Sequence, residues 1–104
     1  MAKRTKIRTR MTGGHTEVMV LVKHPMDTGA ARDAATGRPI SAHYIENMVF
    51  RLNGRVIAEA SLGPGVAANP LTSIGINGAQ AGDTVTVRWT DNLGESEEAR
   101  ATIG

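Results

Sequence analysis

The side chains best suited to chemistry in this sequence are three histidines, His15, His24 and His43, and three methionines, Met19, Met26 and Met48. Imidazole and thioether together suit copper. His24 and His43 bracket one long stretch, so its two ends can bring them together. No HxH or HxxxH spacing fixes a ligand pair, however, and His24 stands before Pro25, where its ring can equally hydrogen-bond a loop. Spacing alone therefore assigns no metal site. Asp27 and Asp33 share the same stretch, where carboxylates commonly shape turns, and no GxSxG, P-loop or GxGxxG string is present. The chain also contains no cysteine. That excludes a disulfide framework, thiolate metal sites, a CxxC redox pair and a cysteine nucleophile. No catalytic residue and no cofactor are expected.

Elements of ordinary size must position these groups, because 104 residues hold one core and not two. Residues 1–104 thus read as a single domain. Lys3, Arg4, Lys6, Arg8 and Arg10 give residues 1–10 a charge of +5, while the remaining seven basic residues face 10 acidic ones. The net +2 conceals a basic N-terminal arm, at about 1–6, on a mildly acidic body. A nucleic-acid-binding fold is not indicated, and the arm suits either solvent or an acidic partner surface. The basic start leads into Thr5, Thr9, Met11, Thr12, Gly13 and Gly14 in place of an apolar h-region, so no signal peptide is read. No run reaches the roughly 18 apolar residues of a membrane span.

Twelve glycines and four prolines leave little room for long helices, and the apolar residues alternate. Val18, Val20 and Val22 point one way and Met19 and Leu21 the other, predicting a strand over 16–23 covered on much of both faces. Asn53-Gly54 predicts a two-residue type I′ turn between strands at 45–52 and 55–62. Regular pairing then sets Leu52 opposite Arg55, Phe50 opposite Ile57 and Met48 opposite Glu59 on one face, with Arg51–Val56 and Val49–Ala58 on the other. Gly63-Pro64-Gly65 breaks the chain. The uncharged, small-residue segment 63–70 is a crossover or a place where another chain approaches closely. Extended structure resumes at 71–76, and Val85, Val87 and Trp89 alternate with polar residues, placing the tryptophan in the core. Gly94 closes a left-handed turn, and Ala99, Ala101 and Ile103 share a face. With a first strand near 6–11, about seven antiparallel strands predict an all-β fold, an immunoglobulin-like β-sandwich without its disulfide. Residues 24–43 remain a long loop, of a length that is usually functional or disordered.

Particular strings then occur in order: His24-Pro25-Met26-Asp27-Thr28-Gly29, Ser41-Ala42-His43-Tyr44-Ile45, Leu52-Asn53-Gly54, Gly63-Pro64, Asn69-Pro70 and Trp89-Thr90-Asp91-Asn92-Leu93-Gly94-Glu95. The HPMxTG string with WxDNxGE at this distance resembles the SoxZ family, over about Lys6 to Ile103. The resemblance implies a non-catalytic subunit that pairs with SoxY, whose C-terminal arm carries thiosulfate-derived sulfur on a cysteine. It also implies transient contact with the other sulfur-oxidation enzymes. A periplasmic location would be reached by co-export with the partner, which bears a twin-arginine signal. A platform without thiols cannot exchange with a persulfide on its partner. Placed on these motifs, the partner-interface candidates are His24, Met26, Asp27, His43, Tyr44, Asp91, Asn92 and Glu95, each also of a type that makes turns or core. A stand-alone periplasmic copper-binding β-sandwich is the alternative that the histidine and methionine content motivates.

Overall fold

A computed structural model describes residues 4–30, 32–63 and 65–104. Lys3 of the basic arm and Pro64 of the predicted break lie outside the described residues. The described residues form seven strands and no helix, so none of them belongs to a helix long and apolar enough to cross a membrane. The strands are β1 (Thr5–Thr12), β2 (His15–Val22), β3 (Ile45–Leu52), β4 (Arg55–Ser61), β5 (Leu71–Asn77), β6 (Thr84–Asp91) and β7 (Ser96–Thr102). All pairings are antiparallel, in a three-stranded sheet β1-β2-β5 and a four-stranded sheet β4-β3-β6-β7. The all-β sandwich of seven antiparallel strands expected from the alternation is the fold observed.

Between the sheets lie Val18, Val20 and Val22 from β2, Met48 and Phe50 from β3, and Val85, Val87 and Trp89 from β6, all fully buried. Each set occupies alternate positions, because successive side chains of a strand point to opposite faces. Trp89 is the largest buried side chain, and its indole N–H donates to the Thr5 hydroxyl at 2.7 Å. That bond joins a residue of one sheet to a residue of the other inside the core.

Two expectations change. Beyond the Asn53-Gly54 turn, Leu52–Arg55 and Arg51–Val56 pair as predicted, but Phe50 then meets Ala58 and Met48 meets Ala60. Ile57 is the extra residue of a β-bulge. Regular pairing would have turned Glu59 onto the core-facing side beside Met48, and an unpaired carboxylate there is costly. The bulge places Ala58 and Ala60 inward and leaves Glu59 exposed. The second change concerns β2, whose outer face is not covered: Met19 is half-buried and Leu21 is 37% exposed.

The stretch 24–43 has order of its own. Asp27 and His43 exchange backbone hydrogen bonds of 2.7 and 2.9 Å, and Arg32 bridges Pro39. The Asp33 carboxylate accepts the amides of Ala35 and Thr36, shaping the turn at the tip. The result is a narrow, exposed arm rooted on two antiparallel stems. As for the basic arm, Thr5 and Lys6 belong to β1, and Arg4 is tied to β7 by its amide, which donates to Glu97 Oε1 at 3.0 Å.

Candidate functional site

One end of the sandwich gathers the termini of six strands. His24 follows β2, Asn69 precedes β5, His43 and Tyr44 precede β3, Asp91 closes β6, Glu95 precedes β7 and Arg4 precedes β1. Antiparallel pairing dictates this convergence, since the end of one strand lies beside the start of its neighbour.

Asp91 is the hub. Its Oδ1 accepts the backbone N–H groups of Leu93 (3.1 Å) and Glu95 (2.8 Å), closing the turn whose left-handed Gly94 has φ 82°. Its Oδ2 accepts from His24 Nε2 at 3.1 Å and from His43 Nε2 at 2.9 Å. Burial by itself would raise the Asp91 pKa. The bonds from His24, the Glu95 amide, His43 and the Leu93 amide outweigh it and hold the carboxyl below its ordinary value. His24 and Asp91 have no exposed side-chain surface, and the His43 side chain is 20% exposed.

The His24 ring is fixed from all sides. Its Nδ1 accepts the Met26 amide at 3.2 Å, which places the ring proton on Nε2, the nitrogen that donates to Asp91. Its backbone amide donates to Asn69 Oδ1, and its carbonyl accepts the Asn69 amide. The ring stands edge-on to His43, centroids 4.4 Å apart, and to Trp89, 5.5 Å apart. Met26 has φ 51°, in the left-handed region, and its thioether accepts the Ile45 amide at 3.3 Å. Asn92 clasps the root of the arm: its Nδ2 donates to the Ala42 carbonyl at 2.9 Å and its Oδ1 accepts the Tyr44 amide at 2.8 Å. Above the tryptophan, the Arg4 guanidinium lies 4.8 Å from the ring centroid and bonds Glu95 Oε2 at 2.9 Å.

Every interface candidate read from the motifs thus falls at this end, but not all present a side chain to the outside. His24, Met26 and Asp91 are buried; Asp27, His43, Tyr44 and Asn92 are half-buried; Glu95 is exposed. Arg4, Thr5, Asn69 and Glu97 join the cluster and were not among the candidates. Asn69-Pro70 was visible as a string, whereas Thr5 carried no signal.

Of the six sequence-level copper candidates, the fold gathers His24, His43 and Met26. Nitrogen and oxygen atoms of His24, His43 and Asp91 lie within 4.8 Å of one another, a spacing that three ligands of one ion share. The bonding pattern opposes metal there. With Nδ1 accepting the Met26 amide, the Nε2 of neutral His24 is protonated and offers no lone pair. His15 lies at the start of β2, about 30 Å along the strand from His24, with its ring against Gly75 and its Nδ1 at 3.1 Å from Asn77 Oδ1. Met48 is core and Met19 faces outward. Among the described residues no hydroxyl or amine is hydrogen-bonded to the ring of His24 or His43.

What the cluster does is join: one carboxylate, two imidazoles and one asparagine tie both sheets and the root of the arm together. The residues that do so are those of the HPMxTG, AHY and WxDNxGE strings, and the family model of sulphur oxidation protein SoxZ matches residues 5–102. The chain belongs to the SoxZ family. No individual curated protein matches it. Membership carries with it a role in sulfur oxidation.

Proposed function

We propose that this chain is a non-catalytic subunit that pairs with SoxY, the protein carrying sulfur intermediates on a cysteine during thiosulfate oxidation. The observation that carries the reading is the SoxZ family match over nearly the whole chain. Two features support it. The chain contains no cysteine, so it offers its partner a surface without a competing thiol. The histidines most able to do chemistry are held in a structural network with Asp91. The subunit presents the partner's sulfur-bearing arm to the other sulfur-oxidation enzymes through transient contacts. It works in the periplasm, exported together with a partner that bears the signal.

Co-expression with SoxY from the same source tests this directly. The expected outcome is a stable 1:1 complex on size-exclusion chromatography, and failure to co-purify at micromolar concentration overturns the reading. The copper alternative rests on the closeness of His24, His43 and Asp91. Elemental analysis of untagged protein separates the two readings, and stoichiometric copper would favour the alternative.

A further inference from the structure

The two sheets leave four edges, and the edges differ. Exposed edge strands invite pairing with other chains unless charges, bulges or prolines blunt them. The β1 edge carries Lys6, Arg8 and Arg10, and the β7 edge carries Glu97, Glu98 and Arg100. The β4 edge carries Arg55 and Glu59 and is bent by the bulge at Ile57. Among these edges of the described residues, β5 alone has none of these devices. It reads Leu71-Thr72-Ser73-Ile74-Gly75-Ile76-Asn77, with no charge, no proline and an unbroken register against β2. The uncharged run is longer than the strand. From Ala60 through Gly82 no residue carries a charge, in a chain where 21% of residues do.

Next to this edge lies the uncovered face of the three-stranded sheet. Register places Lys6, Leu21 and Leu71 in one row across β1, β2 and β5, and Arg8, Met19 and Ser73 in the next. Lys6, Arg8, Met19, Leu21 and Leu71 line an open groove of about 310 Å³. Leu71, on the edge strand itself, is 68% exposed. The face is also one-sided in charge: Lys6, Arg8 and Arg10 stand against Glu17. The outer side of the other sheet instead interleaves Arg51, Glu59, Arg88, Glu98 and Arg100.

We propose that the β5 edge and the groove beside it are the seat of the partner subunit, which extends the β1-β2-β5 sheet by one strand. The partner strand pairs through its backbone with β5. An apolar side chain next to it fills the groove over Leu21 and Leu71. Carboxylates beside that apolar side chain meet Lys6 and Arg8, the β1 cations that line the groove. Charge selects the occupant at the groove, where Lys6 and Arg8 stand beside Leu21 and Leu71: the basic β1 face of a second copy laid over it would be repelled, whereas an acidic partner neutralises the two cations. The assignment rests on the proposal that the chain pairs with SoxY, and adds to it where and by what chemistry the pairing occurs.

The test uses the full-length chain co-expressed with SoxY. In the double variant Leu71→Lys with Ser73→Lys, two exposed edge positions become lysines without touching the core, so the far-ultraviolet spectrum and melting temperature should match the parent. Affinity for SoxY should fall by at least about tenfold. Arg8→Glu should slow association and reduce its dependence on salt. Hydrogen exchange of the parent complex should show new protection on the β5 amides. If the parent pairs with SoxY, the double variant binds within about twofold and protection appears elsewhere, the seat is wrong and the pairing stands. If the parent does not pair at all, both readings fall. A concentration-dependent dimer of this chain alone, abolished by the double variant, would give the edge to a second copy and overturn the acidic partner.

Discussion

Asp91 and Asp83 sit at opposite ends of the sandwich and begin from the same chemistry. Each lies at a strand terminus, accepts a backbone amide in a turn and has its carboxyl held below the ordinary value. For Asp83 the bonds come from the Gln80 amide and the Asn53 side chain, and neither is buried. For Asp91 two imidazoles are added and water is excluded. A carboxylate that water can replace shapes one turn. A carboxylate that water cannot reach becomes a joint for several strands, because each donor left unpaired after its loss keeps the full cost of its desolvation.

The comparison breaks first, if it is wrong, at Asp91→Ala. That substitution leaves the buried His24 N–H and two amides without an acceptor and should cost about 3 kcal/mol or more in urea unfolding. Asp91 should also dominate the acid limb of stability. Its folded pKa lies below the unfolded value, so its contribution is complete above about pH 4 and is lost as pH falls through the lower folded value. An Asp91→Asn protein should lose stability less steeply across that window than the parent.

His24→Ala comes next, at about 2 to 3 kcal/mol, because it strands the Met26 amide, leaves Asp91 Oδ2 with His43 as its one remaining imidazole donor and empties a buried volume. Nitrogen NMR of the parent should show the His24 proton on Nε2, and a proton on Nδ1 would contradict the network. A third test is Thr16→Val, near the Asp83 end. The Thr16 hydroxyl is buried without a hydrogen-bond partner among the described residues, so removing it should raise stability by about 1 kcal/mol. Smallest of all should be Asp83→Ala, a shift in melting temperature well below that of Asp91→Ala. An equal loss at the two aspartates would remove the distinction drawn between the two ends.

Much of the fold was legible because alternation is a local property. Val18, Val20 and Val22, and Val85, Val87 and Trp89, declare an inward face through spacing alone, and Asn53-Gly54 declares its turn through the positive φ that both residues adopt, 49° and 84°. The register past that turn was not legible. The bulge at Ile57 answers to where Glu59 would point, and that depends on which layer lies over Met48 and Phe50. The site was legible as strings and not as a structure. His24, His43 and Asp91 are far apart in the chain, and nothing local says that one carboxylate oxygen receives both rings.

The sequence by itself determined the chemistry this chain lacks, the alternation that makes it all-β, and the motif strings that mark the SoxZ family. Only the tertiary structure decided what the histidines are for. Antiparallel pairing brings the strand termini to one end, burial there strips water from Asp91, and the Met26 amide then dictates which nitrogen of His24 holds the proton. Likewise the uncharged run at 60–82 became a surface only when the sheet order left β5 at an edge. A residue's type sets which bonds it can make, and its neighbours in space set which it must.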